Sequence, residues 1–187
     1  MKDKAIKEAL DILKNFSPDT YEHSLKVAMY SIYIGNALSL DRSKLFDLVK
    51  GALVHDIGKS YFSYEFLNYQ GKYDSSQKEL IKKHPEYGLE FFKERNLYIS
   101  KNVSDIIIQH HELCDGTGYP NGLSKDNISE FSRIITICDI FEAFTADRVY
   151  HAKRTYKEGI EHLLYLWFKG KIDDEISRLF INILIGD

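Results

Sequence analysis

The sequence predicts an all-α fold in a single compact domain that spans residues 1–187. Apolar residues recur at helical spacing through nearly the whole chain, which is typical of amphipathic helices packed on a common core. Alternating Val- and Thr-rich runs bounded by turns, which would predict strands, are not found. With 187 residues, 44% of them hydrophobic, the chain is large enough for one domain with a full core.

The first part of the chain predicts three helices. Residues 3–15 place their apolar side chains on one stripe. Ser17-Pro18-Asp19 combines a hydroxyl cap, an early proline and an acidic first turn, so it predicts a helix start, and this helix runs to about Leu38. Asp41-Arg42 begins the next helix, which runs toward His55.

The rest of the chain continues the helical pattern. Ser75-Ser76 caps a segment that runs to about Lys93 and is broken or bent near His84-Pro85, because proline disfavours helix in the residue before it. Residues 100–111 predict a helix that ends at a histidine pair, and glycines with a proline predict a loop over residues 115–127. Three more helices follow, over residues 128–145, 155–169 and 173–185.

Charge and composition exclude several functions. The formal net charge is −3 and the pI is about 6.2, whereas nucleic-acid binders generally carry a basic stripe and a pI above about 9. Apolar runs fall short of the roughly 18 residues that span a bilayer, and Glu8 and Asp11 interrupt any signal-peptide core. Cys114 and Cys138 do not make a disulfide framework. We therefore expect a cytoplasmic protein without a nucleic-acid polymer or a membrane as partner.

Two short stretches carry most of the chemistry. Residues 110–120 read HHELCDGTGYP, which places two adjacent histidines before a glycine-rich, aromatic turn, and residues 55–59 read HDIGK. Neutral imidazole and carboxylate are ligands that first-row transition metals accept together. A run that begins with ligands and ends in a turn predicts a metal site where a helix ends and a loop begins.

Other candidate ligands lie elsewhere in the chain. Asp19 and His23 stand four residues apart in one predicted helix, so both point to the same face. Each also has an ordinary explanation, because a lone helical histidine is more often hydrogen-bonded than metal-bound and Asp19 complements the helix dipole. Asp139 lies inside an apolar helix, where an ionised carboxylate is costly unless it is paired or metal-bound, and Glu142 shares its face.

An ion pair with Arg133 or Arg148 is the alternative explanation for these two carboxylates. Taken together, however, the candidates outnumber the ligands of one ion: His23, His55, His84, His110, His111, Asp19, Asp56 and Asp139. A single zinc ion takes about three or four ligands, so the set suits two ions with a carboxylate such as Asp56 between them. The His/Asp mixture favours iron or manganese, and paired metals typically hydrolyse phosphate esters.

The motifs in combination resemble the HD-GYP domain, a branch of the HD phosphohydrolase superfamily whose members hydrolyse cyclic di-GMP. Beside residues 55–59 and 110–120, residues 84–88 (HPEYG) resemble its His-Pro-x-x-Gly element and residues 147–150 (DRVY) its Asp-Arg-Pro-Tyr element. The resemblance extends from about Asp19 to the C-terminal helices. It implies an HD-type helical domain with a metal site at its centre.

The resemblance also implies a role for each matched residue. One divalent ion would be held by His23, His55, Asp56 and Asp139, and a second by Asp56, His84, His110 and His111. Asp19 would help to hold a third ion, as in some members. Lys59 would face the scissile phosphate and act with Asp56 in catalysis. Substrate contacts would come from Gly118, Tyr119, Pro120, Glu142, Arg148 and His151.

The implied activity is hydrolysis of cyclic di-GMP to pGpG, GMP or both, through a hydroxide held between the ions. Glu142, Val149 and His151 stand where the family usually has aspartate, proline and lysine, which leaves open a preference for 3′,3′-cyclic GMP-AMP. A cyclic dinucleotide-binding module without hydrolysis and a generic nucleoside-phosphate hydrolase are the alternatives. A homodimer or a regulatory partner protein is also left open.

Overall fold

The structure, a computed structural model, describes residues 4–146 and 154–186. Within these ranges the chain forms α-helices and short 3₁₀ turns and no β-strand, which confirms the all-α prediction. The helices are α1 (Lys4–Phe16), α2 (Pro18–Ala37), α3 (Arg42–Val54), α4 (Tyr64–Leu67), α5 (Ser75–Ile81), α6 (His84–Glu94), α7 (Lys101–Gln109), α8 (Glu130–Thr145), α9 (Tyr156–Phe168) and α10 (Asp174–Ile185). Among the described helices, none has the length and apolar character needed to cross a membrane.

Two of the predicted helix starts differ in detail. Ser17 precedes α2 as predicted, but its hydroxyl contacts the hydroxyl of Thr20 at 2.8 Å instead of capping a backbone N–H. The cap of α5 is Asp74, one residue before the predicted serine pair, and it forms a capping box with Gln77. The predicted break near the His84-Pro85 dipeptide is confirmed, because α5 ends and α6 begins there.

Residues 57–74, for which the sequence predicts no element, form a 3₁₀ turn (Ile57–Tyr61) and the single-turn helix α4. Their aromatic rings stack in series, with 5.2 Å between the ring centres of Phe62 and Phe66 and 5.0 Å between those of Phe66 and Tyr73. Such ring contacts stabilise a segment too short to show a helical apolar pattern. Packing between aromatic rings, rather than a repeated apolar stripe, therefore stabilises this segment.

Helix α8 is the central element of the fold. It contacts α2, α3, α7, α9 and α10, and its apolar residues Ile134, Ile137 and Phe141 are completely buried. Cys138 is a buried free thiol in the same core. Because neighbouring helices surround α8, the two carboxylates in its second half also lie in the interior, where they need polar or charged partners.

Gly58 permits a close contact between the 3₁₀ turn and α6. A Cβ atom at this position would meet the carbonyl oxygen of His84 at 1.8 Å and the amide nitrogen of Gly88 at 2.5 Å. Both are backbone atoms that cannot rotate away. We expect Gly58→Ala to lower the free energy of unfolding by about 3 kcal/mol, the upper range of overpacking costs.

Urea unfolding followed by circular dichroism measures this effect. Gly71→Ala is the matched control, because the nearest atoms to its added Cβ all belong to the exposed side chain of Tyr69, which has room to move. We expect the control to keep its unfolding midpoint. An unchanged midpoint for Gly58→Ala would contradict the close contact.

Candidate metal centre

Seven of the predicted ligands converge in the interior of the domain. Their nitrogen and oxygen atoms fall into two groups, and within each group all these atoms lie within 4.8 Å of one another. The first group is His23, His55 and Asp139, and the second is Asp56, His84, His110 and His111. The ligands come from α2, α6 and α8 and from the residues that follow α3 and α7. Helix packing thus gathers residues that are far apart in sequence.

Asp56 lies between the two groups, with one carboxylate oxygen toward each. Its Oδ2 is 3.5 Å from Nε2 of His55 and 3.7 Å from Nε2 of His23. Its Oδ1 is 3.2 Å from Nε2 of His84 and 3.7 Å from Nε2 of His110. This is the arrangement that a carboxylate bridging two ions requires.

Three histidines at helix boundaries are oriented in the same way. His55 and His110 directly follow α3 and α7, and His84 begins α6, three residues after the end of α5. His55, His84 and His110 place Nδ1 at 2.7, 2.8 and 2.9 Å from the carbonyl oxygen three residues earlier. The last carbonyls of a helix lack intrahelical partners, so they are free to accept an Nδ1–H. This bond directs Nε2 of each ring into the site and, when the ring is neutral, places its single proton on Nδ1, so that Nε2 is available as a metal ligand.

His23 has a different partner. It lies inside α2, and its Nδ1 makes a very short contact with the carboxylate of Glu142 while its Nε2 is 3.0 Å from Asp139. Burial opposes protonation of His23, but the hydrogen bonds with Asp139 and Glu142 outweigh it and raise its pKa to about 9. Glu142, predicted to contact substrate, is 3% exposed and is engaged by His23 and Lys26.

Lys59 lies beside the bridging carboxylate. Its Nζ donates to Oδ2 of Asp56 at 2.6 Å, and its side chain remains 27% exposed. Burial opposes ionisation of Asp56, but Lys59 and the neighbouring histidines outweigh it and hold the pKa of this carboxyl well below its ordinary value. Burial lowers the pKa of His55 to about 4. At neutral pH these two residues are therefore in the forms that bind metal ions.

The loop after the histidine pair covers the second group. Tyr119 stacks on His111, with ring centres 4.7 Å apart and an interplanar angle of 28°. Glu112 is 1% exposed and accepts the backbone N–H groups of Asn121 and Leu123 at 2.7 and 2.8 Å. It thus ties the loop to the end of α7. The sequence analysis did not predict that Glu112 holds the loop. Its position directly after the histidine pair and before a glycine-rich turn is a signal for such a role.

Gly118 and Pro120 flank Tyr119 within this loop. A Cβ at Gly118 would meet the backbone of Leu113 and Glu112 at 2.3 and 2.5 Å, so the loop packs directly against the chain that leaves the histidine pair. The Tyr119–Pro120 peptide bond is cis. The predicted contacts of Gly118, Tyr119 and Pro120 with substrate stay predictions.

Several predicted residues do not join the centre. Asp19 is exposed and belongs to neither group in the described part of the chain, because it lies on the solvent side of the first turn of α2. A third ion held by Asp19 therefore stays a prediction. Arg133 pairs with Asp173 and so is not the partner of the carboxylates on α8. Arg148 and His151, like the rest of residues 147–153, lie outside the described residues.

Two buried polar atoms test whether metal ions fit the centre. Nε2 of His55 and Oδ1 of Asp56 are buried and have no hydrogen-bond partner within the described ranges. Oδ1 is close to His84, but that ring carries its proton on Nδ1 and has none on Nε2 to donate. Each unsatisfied buried polar group costs about 1–3 kcal/mol. Metal ions would satisfy both atoms, and the imidazole and carboxylate donors suit divalent ions.

Comparison with known proteins identifies the family of the chain. The sequence pattern of the HD domain family matches residues 8–176. The chain is 32% identical over 170 residues to the cyclic di-GMP phosphodiesterase PA4108 of Pseudomonas aeruginosa, which covers 91% of this chain and 40% of that protein. It is 38% identical over 136 residues to the 3′3′-cGAMP-specific phosphodiesterase 3 of Vibrio cholerae, which covers 73% of this chain and 29% of that protein.

The fold comparison agrees with the sequence comparison. The HDG"Y"P protein Bd1817 of Bdellovibrio bacteriovorus superposes with a TM-score of 0.73 at 23% identity, over 99% of this chain and 62% of that one. The chain spans less than half the length of the two curated relatives. The family match spans most of the chain, and the chain belongs to the HD domain family.

Proposed function

We propose that this chain is a metal-dependent phosphodiesterase that hydrolyses cyclic di-GMP to pGpG, GMP or both. The observation that carries the proposal is the position of Asp56, which directs one oxygen to each of two ligand groups. Paired ions that share a bridging ligand are typical of enzymes that cleave phosphate esters. The names of the two curated relatives support a cyclic dinucleotide as the substrate class.

The residues of the two groups would hold the ions. His23, His55 and Asp139 would bind one, the remaining three histidines would bind the other, and Asp56 would bind both. Imidazole and carboxylate donors favour iron or manganese. When bound, these ions lower the pKa of water and neutralise charge on the phosphoryl group.

The protein's own side chains would complete the site. Lys59 extends beside Asp56 and remains partly exposed, so its ammonium is available to a phosphoryl oxygen that gains negative charge during cleavage. Burial raises the pKa of Tyr119, so its phenol keeps the proton and is a hydrogen-bond donor at neutral pH. The ring of Tyr119 also shields His111 from solvent.

Replacing Lys59 separates metal binding from catalysis. We expect Lys59→Ala to keep its metal content and to lower kcat about 10²-fold, the usual effect of removing one group that stabilises transition-state charge. Elemental analysis and initial rates at saturating substrate measure the two quantities. Lys72→Ala, an exposed lysine of the same segment, is the control and should keep the wild-type rate. An unchanged kcat for Lys59→Ala would contradict the proposed role of Lys59 in stabilising charge on the phosphoryl group.

Product analysis tests the proposed reaction. Metal-loaded protein is incubated with cyclic di-GMP, 3′,3′-cyclic GMP-AMP and nucleoside phosphates, and the products are separated by chromatography. We expect conversion of cyclic di-GMP to pGpG or GMP. Faster cleavage of cyclic GMP-AMP is the second candidate, favoured by the likeness to the Vibrio cholerae relative. Binding without cleavage, or hydrolysis of nucleoside phosphates alone, would overturn the proposal.

The setting of this activity is also part of the proposal. We infer that residues 1–187 act as one catalytic domain in the cytoplasm and that the cyclic dinucleotide is the partner they bind. A homodimer or a regulatory partner protein stays a prediction. Size-exclusion chromatography with light scattering measures the oligomeric state.

A further inference from the structure

The histidines of the centre differ in where they lie along their helices. His55, His84 and His110 come at helix boundaries, where free carbonyl groups accept the Nδ1–H and orient the ring. His111 stacks against Tyr119. His23 is different because it lies in the interior of α2, where each carbonyl already accepts from the N–H four residues later. A helix-end carbonyl is therefore not available to hold its ring.

The carboxylate of Glu142, on α8, contacts Nδ1 of His23 in the way that a backbone carbonyl contacts Nδ1 of the three histidines at helix boundaries. Its Oε2 contacts Nδ1 of His23, and its Oε1 lies 3.3 Å from Nζ of Lys26, one turn further along α2. Both oxygens are thus engaged, and the carboxylate is 3% exposed. A buried carboxylate held at both oxygens has little freedom to move, so it fixes the plane of the His23 ring.

We propose that Glu142 is a positioning residue, which orients His23 so that Nε2 faces the first ligand group and strengthens it as a metal ligand. This inference rests on the proposed metal centre and assigns Glu142 a function other than substrate contact. A carboxylate partner on Nδ1 both selects the tautomer and makes the imidazole a better donor. The effect belongs to the first group, because Glu142 contacts His23 and none of the histidines of the second group in the described contacts.

Manganese titration of metal-free protein tests the proposal. Wild-type protein should bind two Mn²⁺ ions, as measured by isothermal titration calorimetry with elemental analysis. Glu142→Gln keeps the shape of the side chain but removes its charge, so we expect one of the two ions to bind about 10- to 100-fold more weakly while the other keeps its affinity. Glu142→Asp keeps the charge and should restore most of the affinity.

The matched control is Thr145→Val. Thr145 is a buried polar residue one turn beyond Glu142 on α8, and its hydroxyl donates to the carbonyl of Phe141 within its own helix. The Thr145→Val variant should bind both ions with wild-type affinity. The positioning role would be overturned if Glu142→Gln bound both ions with wild-type affinity, or if it lost the same affinity at both sites.

A measurement on wild-type protein covers the case in which Glu142→Gln does not fold. In long-range ¹H–¹⁵N spectra of the Zn²⁺-loaded protein, His23 should carry its proton on Nδ1, and a proton on Nε2 would overturn the proposal. Neither readout uses catalysis, so failure to cleave a cyclic dinucleotide would affect the proposed function alone. A wild-type chain that binds no metal ion would overturn the centre itself.

Discussion

Asp56→Ala should remove both metal ions and lower kcat/KM for cyclic di-GMP by about 10⁴-fold or more, the scale on which loss of one member of a catalytic unit acts. The reason is geometric. Asp56 directs Oδ2 toward the first ligand group and Oδ1 toward the second, so its loss weakens both sites at once. Lys59 would also lose its anionic partner. Elemental analysis of purified protein and initial rates measure the two losses.

Comparison variants make this prediction specific. His55→Ala and His111→Ala each remove a ligand from a single group, and we expect both to lose hydrolysis while one group keeps its full set of side chains. Asp105→Ala removes a carboxylate of α7 that pairs with Lys101 outside both groups, so its metal content and rate should match the wild type. Normal turnover with two bound ions in Asp56→Ala would refute the bridging role.

Removal of the metal ions should lower the thermal unfolding midpoint by about 10 °C. The ligands come from five separate parts of the chain, so an assembled site exists in the folded state and not in the unfolded chain. A ligand present at about 1,000 times its dissociation constant stabilises the folded state by about 4 kcal/mol. For a chain of this size each kcal/mol corresponds to about 2–4 °C.

Differential scanning calorimetry with a chelator and with added Mn²⁺ measures this shift. The midpoint should rise again with Mn²⁺ concentration, because mass action links binding to folding. The combined variant His55→Ala with His84→Ala removes one ligand from each group and serves as the control, since its midpoint should respond weakly to Mn²⁺. A wild-type midpoint that is independent of metal would contradict the proposed centre.

The helices and most ligands were predictable because their signals are local. Apolar periodicity predicted α1 and α8, and the proline after His84 predicted the boundary between α5 and α6. His55-Asp56 and the 110–111 pair were recognisable because their neighbours form short motifs. Residues 57–74 had no such signal, because stacked aromatic rings rather than a repeated apolar stripe hold that segment.

Side-chain partners were predicted less well. From the sequence, Arg133 was one possible ion-pair partner of Glu142, whose predicted substrate contact stays a prediction. In the structure Glu142 contacts His23, and Arg133 pairs with Asp173. Two residues on one helix face share a direction, but the partner that a buried carboxylate finds depends on which other helix packs against that face.

The sequence by itself determined the all-α fold class, the approximate bounds of the long helices and the residue types available to bind metal ions, because period, capping and proline geometry act over a few residues. The tertiary structure alone decided how those residues meet. It placed one oxygen of Asp56 toward each ligand group and brought Glu142 to His23 across 119 positions of sequence. Such contacts depend on long-range packing around α8, which no local pattern in the chain encodes.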